Sequence, residues 1–284
     1  MTLPVYQAPA RSILTPTSGF IREAGFTHSL TPARNCTFGC TYCYVPTMGL
    51  YGGLKPDDWR RWGQFTTLKQ NAAELLRREL RAEQVIYCSP LVDPYQPVEL
   101  EMQMMPRLLE VLLKGPPVRF VLQTRGVLVV RDLELLRAVG ATVSFTLTTD
   151  NESVRQLYEP HCDSMAARLD AIAQLRAAGI VVHATLAPLL PCDPVELARL
   201  ALDATGRDLV GDPLHVRSVK PRGATTREAA FRIAQHHPGH EQWFDPEFMR
   251  GVYCTIASEA AKRGLRFLTG PAGFRLLTLE NHAN

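Results

Sequence analysis

The order of hydrophobic and polar positions predicts strands that alternate with helices. Helical spacing of apolar residues covers residues 99–114, 130–139, 163–178 and 194–205. Short apolar runs precede or follow these stretches and begin near Val85, Val118, Val143, Ile180 and Leu214. With a first strand over residues 26–33, about six βα units are expected, and such units form parallel sheets. The predicted fold class is therefore α/β, a partial (β/α)6 TIM-like barrel with an N-terminal arm and a C-terminal helical extension.

The segments outside the alternating region define three parts. Residues 1–25 are rich in Pro, Thr, Ser and Gly and predict an irregular arm. Residues 26–222 form the predicted barrel, and residues 223–284 a C-terminal extension or lid. The extension contains a predicted helix over residues 246–263 and an edge strand over 265–268. Apolar residues at helical spacing also predict a helix over residues 66–81, before the second strand.

One strand, over residues 142–148, alternates strictly between apolar and polar side chains. The apolar residues are Val143, Phe145 and Leu147, and the polar ones are Ser144, Thr146 and Thr148. In a parallel barrel the apolar set faces the helices, so the polar set would face the lumen, where it suits a polar cofactor. The alternative is a sheet with one hydrated face, which is common in antiparallel sheets.

Composition narrows the class of protein. The chain has 284 residues, of which 46% are hydrophobic and 21% charged, as in ordinary soluble proteins. A net charge of +3 is too small to indicate nucleic acid or membrane by itself. There is no signal-peptide pattern and no apolar stretch of the ~20 residues that a membrane span needs. Seven cysteines, an odd number and partly clustered, favour a reducing environment, so we expect a cytoplasmic protein without membrane partners.

Three of these cysteines, Cys36, Cys40 and Cys43, stand at C-x3-C-x2-C spacing. Thiolates select iron–sulfur clusters, zinc or copper(I). A closed [4Fe–4S] site takes four cysteines, so three without a near fourth predict a cluster with one open iron, as in catalytic centres. Gly39 permits a turn with positive φ between the first two ligands. The alternatives are a zinc knuckle, although no second ligand pair follows at matching spacing, or a chance group of buried cysteines.

The cysteine run resembles the cluster motif of the radical SAM superfamily, in which S-adenosylmethionine binds the open iron. Further stretches resemble the spore photoproduct lyase-like (DNA repair photolyase-like) subgroup. They are residues 89–99 (SPLVDPYQPVE), Gln123-Thr124-Arg125, and an E-P…R-L…A-G-I run made of residues 159–160, 168–169 and 178–180. Val92 and Arg125 depart from the residues usual in that subgroup. The resemblance covers roughly residues 20–220.

The resemblance implies roles for individual residues. Cys36, Cys40 and Cys43 would hold a [4Fe–4S] cluster, and Tyr42 and Tyr44 would contact S-adenosyl-L-methionine. Asp93, Gln96 and Glu99 are candidates for its amino group, since they supply oxygen acceptors. Arg125 or Arg168 would bind its carboxylate, as a guanidinium suits that geometry. Ser144 and Thr146 would bind the ribose hydroxyls. Each also has a plain alternative: the two acidic residues as turn and helix-start residues, and Arg168 as part of a surface.

The implied activity is radical chemistry on an unidentified substrate. A reduced cluster would cleave S-adenosylmethionine to a 5′-deoxyadenosyl radical that abstracts hydrogen, with an electron donor such as flavodoxin or ferredoxin as partner. Cys88 is a candidate hydrogen donor, against the default of an unreactive buried cysteine. DNA is one candidate substrate, since residues 217–232 carry five positive charges against one negative. The alternatives are a solvated basic face with a peptide or small metabolite as substrate, and a non-catalytic iron–sulfur or zinc protein.

Overall fold

The computed structural model describes residues 3–52, 56–216 and 225–279. Its strands are β1 (Val5–Ala8), β2 (Leu14–Pro16), β3 (His28–Leu30), β4 (Ala33–Arg34), β5 (Thr66–Lys69), β6 (Val85–Cys88), β7 (Arg119–Thr124), β8 (Thr142–Thr146), β9 (Val181–Leu186), β10 (Leu209–Gly211) and β11 (Phe267–Thr269). Its α-helices are α1 (Gly19–Glu23), α2 (Pro56–Arg60), α3 (Ala72–Glu79), α4 (Glu99–Met102), α5 (Met104–Lys114), α6 (Leu133–Val139), α7 (Glu152–Tyr158), α8 (Met165–Ala177), α9 (Pro194–Thr205), α10 (Glu228–Gln235), α11 (Pro246–Ala261) and α12 (Gly270–Leu279). Short 3-10 helices cover Val45–Gly52, Val127–Asp132 and Glu241–Phe244.

An eight-stranded sheet forms the frame, in the order β11-β10-β9-β8-β7-β6-β3-β2. All neighbouring strands are parallel except β2 and β3. The end strands β2 and β11 do not pair with each other in the described part of the chain, so the barrel is open. The predicted α/β class with a partial barrel of parallel strands is confirmed. The edge strand predicted in the extension is β11, which pairs in parallel with β10 at the end of the sheet.

Two of the predicted elements are wrong. Residues 66–69 are not the start of a helix but strand β5, because β5 pairs with β1 on one side and β4 on the other. The helix in this region is α3 alone. Leu68 matches the helical spacing of the apolar residues but lies in β5. The sixth strand is β10 and ends before Leu214, because Pro213 has no N–H group with which to continue the strand pairing. Leu214 is nevertheless buried, in the loop that follows.

The N-terminal arm is more regular than predicted. It contributes β1 to the small sheet β1-β5-β4, β2 to the edge of the large sheet, and the short helix α1. Glu79 at the end of α3 holds the arm through its Oε2 atom, which accepts the backbone N–H groups of Ile13 and Leu14 at 3.0 and 2.9 Å. The arm is therefore part of the packed structure.

The two faces of the large sheet carry separate cores. Most helices cover one face, which we call the helix side, and Val143 and Phe145 of β8 belong to its core. On the opposite, inner face, Val121 and Val210 pack with Phe274 and Leu277 of α12. The helix α12 therefore fills the inner face near the start of the strands, where Arg119 Nη1 donates to the Thr278 carbonyl at 2.8 Å.

Polar side chains occupy the inner face beyond α12. Ser144 of β8 stands beside Gln123 of β7 and His183 of β9 in the sheet register, so the three side chains share one face. Thr146 and Thr185 continue this row, and all but Gln123 are fully or almost fully buried. The alternation along β8 thus places its polar set inside the open barrel, as predicted.

Candidate cluster and cofactor site

The cysteine loop follows β4 directly and turns tightly twice. The Gly39 N–H donates to the Cys36 carbonyl and the Cys43 N–H to the Cys40 carbonyl, each at 3.1 Å. Gly39 has φ +59°, and a Cβ atom there would lie 3.2 Å from the Gly63 Cα atom. Glycine is therefore favoured at position 39 for two reasons, the predicted positive φ and the close approach of the Gly63 backbone.

All three cysteines of the loop are free thiols, with Cys36 and Cys40 buried and Cys43 partly buried. Among the described residues, no three His, Cys, Asp or Glu side chains converge so as to hold a single metal ion. In a [4Fe–4S] cluster each thiolate binds an iron of its own, so its ligands need not converge on one point. Burial raises the pKa of the Cys36 thiol and raises that of Cys43 to about 12.

Cys40 has a different environment from the other two cysteines. Its Sγ atom lies 3.8 Å from the Sγ atom of Cys162, and Arg125 Nη1 donates to it at 3.5 Å. The contact with Cys162 and the charge of Arg125 lower the pKa of the Cys40 thiol, although burial acts against them. The arrangement favours a thiolate, the form in which cysteine binds metals.

The buried carboxylate of Glu159 anchors the site. Arg125 Nη1 and Thr148 Oγ1 donate to its Oε1 atom at 2.5 and 3.0 Å, and the Tyr42 hydroxyl donates to the same oxygen. Arg168 Nη2 donates to Oε2 at 2.5 Å. Burial alone would raise the pKa of Glu159, but the two guanidinium groups and the tyrosine hydroxyl lower it to about 2.

The loop after β6 is tied to this network. Asp93 accepts the Thr124 hydroxyl at 2.7 Å through Oδ1 and the Arg125 backbone N–H at 2.8 Å through Oδ2. Gln96 Oε1 accepts the backbone N–H and the hydroxyl of Thr37 in the cysteine loop, at 2.9 and 3.0 Å. These contacts hold the β6 loop, the β7 loop and the cysteine loop against one another.

Glu99 does not join this network. Its carboxylate accepts the backbone N–H groups of Met104 and Met105 at 3.0 and 2.8 Å and pairs with Arg131 Nη2 at 2.9 Å. Its two oxygens therefore anchor the start of α5. This is the plain role of a residue at a helix start, and the expected contact to an amino group has no support from its position.

Two predicted cofactor-binding hydroxyls differ in their partners. Ser144 Oγ lies 2.5 Å from Thr185 Oγ1. The Thr146 hydroxyl is buried and, within the described ranges, has no hydrogen-bond partner. A buried hydroxyl without a partner is costly unless a ligand or water satisfies it. The Thr146 hydroxyl on the inner face is thus available to bind a ligand.

Tyr44, Arg168 and Cys88 occupy quite different environments. Tyr44 is 38% exposed and donates its hydroxyl to the Pro90 carbonyl at 2.5 Å. Arg168 is fully buried and binds Glu159, so it is not a surface residue. Cys88 is fully buried in the helix-side core with Ile86, whereas Tyr87 between them faces inwards. The role of hydrogen donor for Cys88 remains a prediction without a supporting contact.

The sequence predicted no role for three charged or thiol side chains of the site: Glu159, Cys162 and Arg227. Glu159 lies in the E-P…R-L…A-G-I run, and the resemblance of that run was the available signal. Cys162 lies three residues later, outside the C-x3-C-x2-C motif, so its position in the sequence does not indicate the contact with Cys40. Arg227 Nη1 reaches the Cys40 carbonyl at 3.4 Å from a distant part of the chain, so no local pattern announces it. Arg217, Lys220 and Arg222 of the basic segment lie outside the described residues.

Residues 30–201 match the family model of the radical SAM superfamily, over more than half of the chain. The chain belongs to this superfamily. As a radical SAM enzyme it uses the cofactors of the superfamily, a [4Fe–4S] cluster and S-adenosylmethionine, and it requires an electron donor. No helix in the described ranges combines the length and apolarity that a bilayer span requires.

Similar proteins include two that are described as uncharacterized. A protein of Mycobacterium tuberculosis is 27% identical over 245 residues, which are 80% of this chain and 69% of that protein. A protein of Methanocaldococcus jannaschii is 26% identical over 157 residues, 55% of this chain and 58% of that protein. Neither comparison assigns a substrate to this radical SAM chain.

Solved structures of spore photoproduct lyase share the fold. A mutant of that enzyme with one cysteine replaced by serine superposes with a TM-score of 0.63 at 15% identity, covering 93% of this chain and 81% of that one. A doubly substituted mutant, with bound AdoMet and dinucleoside spore photoproduct, gives a TM-score of 0.62 at 16% identity, with the same coverage of both chains. At this identity the likeness establishes the fold of the radical SAM chain and leaves the substrate open.

Proposed function

We propose that Cys36, Cys40 and Cys43 ligate the [4Fe–4S] cluster and leave one iron for S-adenosylmethionine. The observation that carries this proposal is the group of three free thiols on one tight loop, with a guanidinium against the middle sulfur. The donor set fits the cofactors, because thiolates are soft ligands and the Thr146 hydroxyl, which has no partner among the described residues, faces the same open barrel. When bound, the two cofactors supply one-electron reductive cleavage of the sulfonium and hydrogen abstraction from the substrate.

The residues around Cys40 position the loop and balance its charge. Arg125 stabilises the Cys40 thiolate, and Glu159 holds that guanidinium while also binding Arg168 and the Tyr42 hydroxyl. Asp93 fixes the backbone of Arg125 and the Thr124 hydroxyl. Since the site is buried, these charges act in a medium of low effective dielectric and interact strongly.

For S-adenosylmethionine itself, we propose that Asp93 and Gln96 lie on the amino-group side and that Ser144 and Thr146 take the ribose. Arg125 is the better candidate for the carboxylate, because its side chain is 14% exposed whereas that of Arg168 is fully buried. Tyr42 contributes its ring to the wall of the site, and Tyr44 stands at its exposed edge.

We propose nucleic acid as the substrate class. Peptides and small metabolites are the alternatives, to be tested afterwards. The support is the fold shared with spore photoproduct lyase, which has been solved with a dinucleoside spore photoproduct. The basic segment adds little to this support among the described residues. Arg227 binds the Cys40 carbonyl, and Arg232 lies 3.8 Å from Glu228 on its own helix.

The decisive experiment is anaerobic reconstitution with iron and sulfide, followed by S-adenosylmethionine and dithionite. We expect methionine and 5′-deoxyadenosine to form. Replacing any one of Cys36, Cys40 or Cys43 by Ala should abolish both the product and the cluster absorbance. The matched control is Cys254→Ala, which removes an exposed thiol outside the site.

Two results would contradict the proposal. One is a purified protein, made without oxygen, that holds zinc or an iron cluster ligated by four protein side chains. The other is an intact cluster that gives no 5′-deoxyadenosine, which would favour a sensor or binding protein. The substrate class is tested separately, by the shift of ultraviolet-irradiated and intact DNA duplexes over a salt series. Binding that needs phosphate contacts should weaken steeply as salt rises.

A further inference from the structure

Arg227 brings a positive charge to the cysteine loop from outside the residues that match the superfamily. It precedes α10 in the C-terminal extension, and its Nη1 atom donates to the Cys40 carbonyl at 3.4 Å. Two neighbouring hydrogen bonds hold this segment against the loop. Thr47 Oγ1 donates to the Thr225 carbonyl at 3.1 Å, and the Thr225 N–H donates back to the same hydroxyl at 3.2 Å.

A second contact links the extension to the cysteine loop through Tyr158. Tyr158 and His240 are joined by a 3.2 Å contact between the tyrosine hydroxyl and Nδ1. The carbonyl of Tyr158 accepts both the backbone N–H and the hydroxyl of Thr41, at 2.9 and 3.1 Å. The extension is therefore connected to the loop at two points, and Arg227 is held beside Cys40.

Among the described residues, the charge of Arg227 has no acidic partner. No carboxylate of the described residues lies within ion-pair distance of its guanidinium, whereas Arg125 and Arg168 share Glu159. Burial lowers the pKa of Arg227, and the nearby Cys43 and Cys40 sulfurs act in the opposite direction. Arg227 is partly buried, and a cation partly withdrawn from water is stabilised by a nearby anion. The groups that can supply this anion are the cysteine thiolates and what they bind.

We propose that Arg227 stabilises the reduced form of the cluster held by Cys36, Cys40 and Cys43, and so raises its reduction potential. Reduction adds one negative charge, which a neighbouring guanidinium favours by Coulomb attraction. Net charge, hydrogen bonds and solvent exposure are the features by which a protein sets such potentials. Arg227 is a positioning residue in this account, and the inference rests on the proposed function.

The test compares Arg227→Gln and Arg227→Lys with Arg232→Gln, which removes an exposed charge from the following helix. Each protein is reconstituted without oxygen, its iron and sulfide are counted, and its midpoint potential is measured by electron paramagnetic resonance during a redox titration. We expect Arg227→Gln to shift the potential to a more negative value. Arg227→Lys should stay closer to the wild type, and Arg232→Gln should match it.

The outcomes separate this inference from the proposed function. A wild-type protein that forms no [4Fe–4S] signal contradicts the proposed function itself. If Arg227→Gln loads a full cluster with the wild-type potential, the role of Arg227 is overturned. If Arg227→Gln folds but does not load while Arg227→Lys loads, the requirement for positive charge is supported. If both fold and neither loads, shape rather than charge is required, and the inference is wrong.

Discussion

Glu159 and Arg168 form an ion pair of 2.5 Å, from Oε2 to Nη2, in which both side chains are completely buried. Removing Glu159 would leave the guanidinium groups of Arg168 and Arg125 without their carboxylate, whereas removing Arg168 would leave Glu159 its ion pair with Arg125. We therefore expect Glu159→Gln to lower the free energy of unfolding by about 3–5 kcal/mol and Arg168→Met to lower it by less. Urea denaturation followed by circular dichroism measures this change. Arg137→Gln, which breaks an exposed pair with Glu134, is the control and should change little.

The low pKa of Glu159 predicts an acid dependence of stability. Its value of about 2 in the folded protein lies below the ordinary glutamate value of about 4.3. The stabilisation is therefore complete above the ordinary value and is lost as the pH falls towards 2. The difference in unfolding free energy between wild type and Glu159→Gln should be constant above about pH 5 and shrink below about pH 4. A difference that grew on acidification would contradict the assignment.

The 3.8 Å separation of the Cys40 and Cys162 sulfur atoms predicts a disulfide in the cluster-free protein. Two thiols and one hydrogen peroxide would give one disulfide and two waters. Mass mapping of non-reduced peptides after peroxide treatment should find Cys40 joined to Cys162. Cys162→Ser should abolish this peptide, whereas Cys254→Ser should retain it. A protein loaded with cluster should resist the reaction, because Cys40 is then a ligand.

The close approach of Gly39 and Gly63 predicts that a methyl group there disturbs the cysteine loop. A Cβ atom on Gly63 would lie 2.8 Å from the Gly39 Cα atom, at a φ of +86°. Gly264 has a φ of +69° but no atom within 4 Å of its Cβ position. Gly264→Ala should therefore lower the free energy of unfolding only by the cost of a positive φ at a residue with a Cβ atom, about 1–2 kcal/mol. Gly63→Ala should lose more stability and also reduce the iron bound per chain, and equal losses would refute the steric account.

The sequence patterns that led to correct predictions were local, because they depend on residues that lie close together along the chain. The turn at Gly39 is one such case, because its positive φ depends on neighbouring residues. The helix over residues 194–205 was predicted to the residue, because Asp193 caps it and Gly206 ends it with a left-handed turn. The polar set of β8 was assigned to the inner face, since side chains alternate along any strand.

Contacts between distant parts of the chain were beyond such patterns. Thr66–Lys69 fits a helical period, but pairing with β1 and β4 makes it a strand. Arg125 and Glu159 are 34 residues apart, and Arg227 is 187 residues from Cys40, so both contacts exist only in the folded chain. Amino-acid order therefore determined the three thiols and the alternation of strands and helices. The charges that surround those thiols were determined by folding, because electrostatic contact depends on distance in space and not on separation along the chain.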